Sequence, residues 1–320
     1  MAEKGSAPLP CQLIWSIIKN MNSAPPTPKG FRDIAPALAK RRREVIGKIA
    51  DTLEGVEFVP IETPTLEFAS TLTGKYGEDE RLIYKFKDRG ERELAMRYDL
   101  TVPLARYVAT YNPPLPFRRY QVGQVFRGEN PQKGRWREFT QLDFDSVGTS
   151  ELTEDAKVIA VAIKCFRQIG FEKGIMLVND RKNFADFPPE VTRAIDKLYK
   201  IGENGVIDEI VKSGKSEEES TRIVKRVKSI KPTQSLLEIF KILKENYNLK
   251  EGVDFSFDPT LVRGLDYYTG SIFEMKPSNN PADLTIGSGG RYNNLIGMFS
   301  KKNVPAVGFS FGIDRLLEIL

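Results

Sequence analysis

Residues 263–270 hold an unusual density of groups that could bind a small polar ligand. Arg263 supplies a permanent cation, Tyr267 and Tyr268 supply two phenols, and two glycines complete the segment. A guanidinium can form paired hydrogen bonds with a carboxylate, a phenol can bond a ring nitrogen, and glycine lets the backbone approach a ligand closely. The segment therefore indicates a ligand site, although a turn at a strand end with amphipathic aromatics would have the same composition.

Two further segments carry arginines in positions suited to phosphate binding. Residues 126–145 begin with Arg127 at the end of one predicted strand and return with Phe139 on the next. This arrangement offers a phosphate clamp and an aromatic ring at opposite ends of one hairpin. Residues 118–138 include six Lys or Arg and two Glu. Such a basic loop could reach a triphosphate or an RNA end, or be a charged loop exposed to solvent. The other segment, residues 308–317, carries Arg315.

The sequence contains no histidine, which excludes several kinds of catalysis. Ser-His-Asp and Cys-His mechanisms, histidine-ligated zinc and histidine proton shuttles all need that side chain. Cys11 and Cys165 are too few for a disulfide framework and too far apart for a CxxC metal site. An arginine-rich site without histidine suits reactions that depend on positioning reactants and neutralising charge.

The elements that must position these residues follow from sequence patterns. A helix is predicted over 36–54, a strand interrupted by prolines over 56–64, and a hairpin from residues 84–87 and 94–97. The hairpin leads to Asp99, Thr101 and a helix that carries Arg106. Antiparallel strands are predicted at 118–127 and 138–147, a helix at 151–169 and a strand at 174–178.

The predicted secondary structure changes twice in the second half of the chain. Residues 184–250 are rich in Lys, Glu and Ile at helical spacing and predict a helical insertion with a solvated face. Strands return at 254–258, 269–275 and 284–290. Residues 287–292 carry so little side chain that this strand is expected to floor a ligand pocket. Many strands with long excursions favour an α+β fold over alternating βαβ units.

Composition agrees with a large soluble domain. The chain has 320 residues, a formal charge of +5 and a pI near 9.0, which permits a nucleic-acid partner. The apolar run at 11–18 is too short to span a bilayer and lacks a cleavage pattern, so we expect no membrane association and a reducing cytoplasm.

Taken together and in this order, the segments at 126–145, 263–270 and 308–317 resemble motif 2, the histidine-specific motif and motif 3 of histidyl-tRNA synthetases, a class II aminoacyl-tRNA synthetase family. The helix and strand around residues 60–62 resemble the dimer-forming motif 1. The resemblance extends from about residue 28 to the end. It implies a class II core, a mostly antiparallel mixed sheet flanked by helices, with ATP and Mg²⁺ as cofactors. The implied partners are L-histidine, the acceptor end of histidine tRNA and a second copy of the chain.

The resemblance also implies domain boundaries. Residues 1–24 would be an N-terminal extension, 25–183 and 251–320 the two parts of the catalytic core, and 184–250 the helical insertion. The anticodon-binding domain that usually follows in this family is expected to be absent.

Each matching residue takes a role by resemblance. Asp99, Thr101 and Gln141 would bind the α-ammonium of histidine, Asp145 and Tyr268 its two imidazole nitrogens, and Tyr267 would also line the histidine pocket. Arg263 would lie beside the carboxylate and α-phosphate and, with Arg127 on the α-phosphate, be catalytic. Arg135 and Arg315 would hold the γ-phosphate, Glu129 the adenine amino group or Mg²⁺, and Phe139 the adenine face. No protein zinc site is expected.

Two residues depart from the family pattern, and two alternatives stay open. Asn293 stands where the family usually has Asp, and Asp314 where motif 3 more often has Glu. One alternative is a histidine-binding protein similar to the synthetase-like regulatory subunit of ATP phosphoribosyltransferase, which also lacks the anticodon domain. The other is a class II synthetase for a different amino acid. Residues 263–270 argue against this alternative. RNA contacts are expected from Lys133, Arg135 and Arg137.

Overall fold

An eight-stranded mixed sheet forms the centre of the molecule. The computed structural model describes residues 26–132, 134–262, 267–278, 280 and 284–320. Its strands are β1 Val59–Pro60, β2 Leu66–Phe68, β3 Lys85–Lys87, β4 Glu93–Met96, β5 Phe117–Phe126, β6 Glu138–Val147, β7 Ile175–Asp180, β8 Phe255–Phe257, β9 Ser271–Lys276, β10 Gly287–Arg291 and β11 Ala306–Gly312. The large sheet has the order β1-β5-β6-β11-β10-β9-β7-β8, and β2-β4-β3 form a small antiparallel sheet. In the large sheet only the outermost pairs, β1–β5 and β7–β8, are parallel. The predicted α+β fold with a mostly antiparallel sheet is confirmed.

Nine α-helices accompany these strands in the part of the chain described above. They are α1 Pro36–Glu54, α2 Ala69–Leu72, α3 Thr101–Tyr111, α4 Leu152–Gln168, α5 Pro189–Ile195, α6 Leu198–Lys212, α7 Glu217–Lys228, α8 Gln234–Tyr247 and α9 Ile313–Ile319. Short 3₁₀ helices cover Gly77–Leu82, Arg181–Phe184 and Ile296–Met298. Helices α1 and α4 agree with their predicted bounds to within one residue at each end.

The central strands divide their side chains between an apolar face and a polar one. Because side chains alternate along a strand, Leu142 and Phe144 of β6 point to one face while Gln141, Asp143 and Asp145 point to the other. Leu142 and Phe144 join the main hydrophobic core, which is built with apolar residues of α1, α4 and α8. These helices cover one face of the sheet. The opposite face carries the polar residues of β6, and on β7 and β9 it carries apolar residues that pack in a second cluster with α3.

The helical insertion has a small hydrophobic core of its own. Apolar residues of α5, α6 and α7, among them Val191, Ile210 and Val224, pack together with Val262, which lies outside the insertion in sequence. The neighbouring Leu261 packs instead into the cluster around α3. Helix α8, which falls within the predicted insertion, buries Leu236 and Phe240 in the main core. The compact part of the insertion therefore ends before α8.

The strand predicted at 56–64 is much shorter than expected. Only Val59 and Pro60 pair with β5, extended by one bond from the Ile61 amide to the Tyr120 carbonyl. Proline has no N–H to donate to a sheet, so Pro60 and Pro64 prevent continuous pairing. The segment remains an edge strand of two residues.

Candidate active site

The polar face of the sheet lines a cavity of about 330 Å³. Its floor comes from Gln141, Asp143 and Asp145 of β6, which lie beside Ser310 and Gly308 of β11 in the antiparallel register. Ser288 of the bare strand β10 also lines the cavity, which confirms that this strand contributes to a pocket floor. The remaining walls come from the β4–α3 junction, the β5–β6 loop and Tyr267 and Tyr268.

Glycines keep the floor open because larger residues would collide with the polar groups. A Cβ at Gly308 would lie 1.8 Å from Oδ1 of Asp145, and a Cβ at Gly290 would lie 2.7 Å from the ring of Tyr268. Both distances are far below van der Waals contact. The carboxylate and the phenol can therefore occupy their positions only opposite glycine.

Asp145 is buried in a network of donors. Arg119 of β5 lies opposite Asp145 in the strand register. Its Nη2 atom is 2.7 Å from Oδ2 of Asp145 and forms an ion pair, but the angle does not allow a hydrogen bond. The Tyr292 hydroxyl donates a hydrogen bond to Oδ1. Burial raises the pKa of Asp145, and Arg119 opposes that shift. Burial also raises the pKa of Tyr292, so its hydroxyl keeps the proton that it donates.

Asp99 closes the opposite side of the cavity at the start of α3. Its Oδ1 accepts from the backbone N–H groups of Thr101 and Val102 at 3.1 and 3.0 Å and from the Tyr76 hydroxyl at 3.0 Å. The two backbone bonds satisfy donors that the first turn of a helix leaves unpaired. Burial raises the pKa of Asp99 despite these bonds. The Thr101 side chain hydrogen-bonds with the Tyr267 phenol.

Asp143 is a third buried carboxyl group between Gln141 and Asp145. Burial raises its pKa to about 7; Arg119 opposes the shift and Asp145 adds to it. Ser310 hydrogen-bonds to this carboxyl group and accepts from Nε2 of Gln141 at 2.6 Å. No role was predicted from sequence for Asp143, Tyr292 or Ser310, because their positions depend on pairing between β6, β10 and β11.

The other end of the cavity is rich in arginines. The Arg127 guanidinium lies 4.3 Å from the ring centre of Tyr98 and 5.0 Å from that of Phe139, and its Nε donates to the Tyr98 carbonyl at 3.2 Å. Arg135 pairs with Glu129 at 2.6 Å, with about half of its side chain exposed. Arg315 donates to the Thr285 carbonyl at 3.1 Å. These contacts hold three arginines in the wall of the cavity.

Asp314 joins motif 3 to two distant segments. Its Oδ1 accepts from Nη2 of Arg32 at 2.6 Å, and its Oδ2 accepts from the Thr140 amide at 2.7 Å. The Arg32 guanidinium in turn lies 4.4 Å from the Trp136 ring centre. The shorter acid found here in place of Glu therefore still reaches two donors.

The other departure and one predicted RNA contact also have definite environments. Arg291 pairs with buried Asp155, so the neutral Asn293 only adds an amide oxygen 3.3 Å from Nη1 of Arg291. The charge lost at Asn293 thus leaves Arg291 with its carboxylate partner. Arg137 donates from Nε to the Glu129 carbonyl at 2.9 Å, which uses its guanidinium to hold the loop. Lys133 lies outside the described residues.

The structure brings almost the whole predicted site together. All the predicted ATP- and histidine-binding residues that it describes line this one cavity: Asp99, Thr101, Arg127, Glu129, Arg135, Phe139, Gln141, Asp145, Tyr267, Tyr268 and Arg315. Arg263 falls outside the described residues, as does the predicted extension at 1–24. Within the described ranges, no group of three or more Cys, Asp or Glu side chains could hold a metal ion, and no helix is long and apolar enough to cross a membrane.

Comparison with known proteins identifies the family. The sequence profile described as histidyl-tRNA synthetase matches residues 30–182 and 185–316. The chain belongs to the histidyl-tRNA synthetase family. The histidine–tRNA ligase of Korarchaeum cryptofilum is 41% identical over 317 residues, which cover 91% of this chain and 74% of the relative. That of Helicobacter pylori J99 is 39% identical over 331 residues, covering 92% and 75%.

Solved structures agree with the family. Histidyl-tRNA synthetase from Nostoc sp. PCC 7120 matches with a TM-score of 0.78 and 29% identity, covering 92% of this chain and 75% of that one. An ATP phosphoribosyltransferase regulatory subunit/histidyl-tRNA synthetase from Bacillus halodurans C matches with a TM-score of 0.76 at 24% identity, covering 93% and 84%. This second match shows the same fold. The resemblance to a class II aminoacyl-tRNA synthetase, a family of ligases, is confirmed.

Proposed function

We propose that this chain activates histidine with ATP to form histidyl-adenylate and transfers the histidyl group to histidine tRNA. One observation carries the proposal: a single cavity is lined both by three arginines and by buried carboxyl groups. The arginines suit a triphosphate, and the buried acceptors suit the ammonium and ring N–H of an amino acid. Family membership supports the same reaction.

In this reaction a carboxylate oxygen of histidine attacks the α-phosphorus of ATP and pyrophosphate leaves. Arg127 neutralises the α-phosphate while Phe139 offers its ring to adenine. Arg263 neutralises the negative charge beside the carboxylate of histidine. Arg127 and Arg263 are the proposed catalytic residues. Arg135 and Arg315 hold the γ-phosphate. Activation then depends on charge neutralisation and orientation, which needs no histidine side chain.

Selection of histidine rests on Asp145 and Tyr268 at the two imidazole nitrogens. A buried carboxylate and hydroxyl lose their partners when an apolar amino acid enters, and sites of this kind reject analogues by ~10⁴ or more. Asp99, Thr101 and Gln141 receive the α-ammonium, and Tyr267 lines the same pocket. The burial of Asp145 supports this assignment, because a buried group without a partner is costly.

The proposed cofactors are ATP and Mg²⁺. Near the arginine-lined end, Glu129 presents one carboxylate that is now paired with Arg135. A single carboxylate fits an ion that takes most of its ligands from phosphates and water. Bound Mg²⁺ would neutralise the phosphate charge, and Glu129 would either contact it or accept from the adenine amino group.

The proposed partners are the acceptor end of histidine tRNA and a second copy of the chain, acting in the cytoplasm. Arg135 remains half exposed on the basic loop and could contact RNA. Several apolar side chains near the motif 1 region are at least two-fifths exposed: Val59, Leu66, Phe68 and Phe86. Phe68 and Phe86 both pair with Leu94 and so share a face of the small sheet. Exposed apolar surface is typical of protein interfaces and supports a homodimer.

A histidine-binding regulatory subunit is the second candidate, favoured by the likeness of the fold to the Bacillus halodurans protein. A histidine sensor would use the carboxyl-lined half of the cavity but would have little use for three cations at its other end. The arginines therefore favour the ligase.

Histidine-dependent exchange of labelled pyrophosphate into ATP tests the proposal. We expect exchange with histidine and with none of the other standard amino acids. Arg127→Ala should lose most of this activity, whereas Arg89→Ala, an exposed arginine outside the cavity, should retain it. Binding of histidine without exchange would favour the regulatory subunit, and exchange with a different amino acid would refute the histidine assignment.

A further inference from the structure

Besides the Asp145 oxygen that faces Arg119, three carboxyl or amide oxygens in the cavity wall are buried and have no hydrogen bond within the described part of the chain. They are Oδ2 of Asp99, Oε1 of Gln141 and Oδ1 of Asp143. All three residues line the same cavity. Buried acceptors in folded proteins are almost always satisfied, so three unsatisfied acceptors in one cavity wall indicate a ligand with matching donors. A protonated amine has three N–H donors.

The surrounding contacts orient these atoms. Gln141 and Asp143 are two residues apart on β6 and therefore share a face, and Ser310 of β11 bonds with both. Because Nε2 of Gln141 is occupied by Ser310, its Oε1 is the amide atom left for a ligand. In Asp99 the two backbone amides and the Tyr76 hydroxyl all donate to Oδ1, which leaves Oδ2.

We propose that Asp143 is a further positioning residue for the amino-acid substrate, accepting one N–H of the α-ammonium beside Asp99 and Gln141. This inference rests on the proposed function and adds to it a residue that the motif resemblance left without a role. The Thr101 hydroxyl also bonds with Tyr267 and so helps to hold the pocket wall, while its oxygen can still accept an N–H of the ammonium.

The charges around Asp143 favour a cationic ligand. Asp99, Asp143 and Asp145 are all at least 97% buried. Arg119 and Arg97 are the buried arginines that act on Asp143, and Arg127 acts on Asp99, yet burial still keeps the pKa of Asp143 above its ordinary value. The groups that act electrostatically on Asp143 include Arg119 of β5, Arg97 just after β4, Asp145 of its own strand and Asp99 at the start of α3. Since the pKa of Asp143 is about 7, the carboxyl group is partly protonated at neutral pH in the empty cavity. An incoming ammonium stabilises the carboxylate and displaces that proton.

The decisive experiment compares two ligands that differ only in the ammonium. Calorimetry measures the affinity of histidine and of deamino-histidine, 3-(imidazol-4-yl)propionate, for the wild-type chain and for Asp143→Asn. A hydrogen bond to a charged group contributes enough that we expect histidine to bind Asp143→Asn roughly 10- to 100-fold more weakly. The affinity for deamino-histidine should change less than about 3-fold. Asp145→Asn, on the imidazole side, should weaken both ligands by similar factors.

A proton count gives an independent readout. Repeating the calorimetry near pH 7 in buffers of different ionisation enthalpy reports protons exchanged on binding. Wild type should release more protons than Asp143→Asn when histidine binds, and the two should agree for deamino-histidine. Thermal unfolding and ATP affinity of the variant show whether its fold is intact.

The outcomes separate this inference from the proposed function. Equal weakening of both ligands by Asp143→Asn, or no weakening of either, overturns the role of Asp143 while histidine activation stands. A variant that unfolds is replaced by Asp143→Ser under the same criteria. If wild-type protein binds no histidine at all, the proposed function fails and this inference fails with it.

Discussion

At the scale of single residues, the contact between Gly308 and Asp145 is the tightest constraint on the cavity. A methyl group at position 308 would lie 1.8 Å from the Asp145 carboxylate, so Gly308→Ala should push that carboxylate out of place. Overpacking of this kind costs about 1–3 kcal/mol. We expect the KM for histidine to rise at least 10-fold, measured by pyrophosphate exchange, with a much smaller change in the KM for ATP.

A glycine in open space provides the control for that substitution. Gly47 lies within α1, and a methyl group at this position would have nothing within 4 Å. Gly47→Ala should leave both KM values unchanged and should not lower stability, because alanine favours a helix over glycine. A Gly308→Ala protein with normal histidine kinetics would show that Asp145 can move without consequence.

The Asp143 carboxyl group should also make stability depend on pH. Its folded-state pKa of about 7 lies above the ordinary value of 3.8, so between these values the folded state binds a proton that the unfolded state has released. Stability then falls as pH rises across that window, at up to about 1.4 kcal/mol per pH unit from this group. Asp143→Asn removes the titration.

Urea unfolding of both proteins from pH 5 to pH 8 measures this effect. The free energy of unfolding of Asp143→Asn relative to wild type should increase from pH 5 to about pH 7 and then level off. A constant difference between the two proteins would mean that Asp143 titrates normally in the folded state. The measurement needs no ligand and therefore stands apart from any function.

At the scale of elements, Asp314 connects α9 to β6 and to the segment before α1. Asp314→Asn removes the charge that receives Arg32 and Thr140 and places an N–H group against one of these donors. Hydrogen bonds to charged groups contribute about 1.5–3 kcal/mol, and we expect a loss of that size in urea unfolding. Asp314→Glu, which restores the usual family residue and its charge, should lose less.

An exposed aspartate serves as the matched control. The Asp186 side chain is 81% exposed and lies 3.4 Å from Arg226, and surface pairs contribute little. Asp186→Asn should change stability by less than about 0.5 kcal/mol. Equal losses at positions 186 and 314 would contradict the linking role of Asp314.

The sequence predicted the positions of helices and strands better than it predicted which of them pair or pack together. The strands at 118–127 and 138–147 were located to within a residue because alternation and the basic loop between them are local signals. The shortening of β1 followed from prolines whose effect depends on pairing with β5. The packing of α8 on the main core could not be read from its composition, since amphipathic helices look alike whichever core they cover.

The same limit applies to the site. Arginines, tyrosines and carboxylates within recognisable motifs were assembled in one cavity as expected. Tyr292 and Ser310 became part of it only through the register of β10 and β11 with their neighbours, which no local pattern specifies. Asp143 was visible in the segment, but the missing hydrogen bond at its Oδ1 was not.

At the scale of the whole molecule, the exposed apolar residues near β1 and β2 predict self-association. Phe68 is 55% exposed, and Phe68→Arg should disrupt the proposed dimer by placing a charge in an apolar interface. Val253 is equally exposed but lies by β8 at the far edge of the sheet, so Val253→Arg is the control. Sedimentation equilibrium should show a dimer for wild type and Val253→Arg and a monomer for Phe68→Arg. A monomeric wild type would refute the assembly.

Val262 makes the helical insertion depend on a residue outside it. Helices α5, α6 and α7 complete their hydrophobic core with this residue, whereas Leu261 beside it packs into the cluster around α3. Excising residues 184–231 and rejoining the ends would thus uncover Val262, and transplanting those residues into another host would leave a gap in their core. A transplanted insertion therefore has to include Val262 and the surface that Leu261 and Val262 pack against. The segments that must move together are not continuous in sequence.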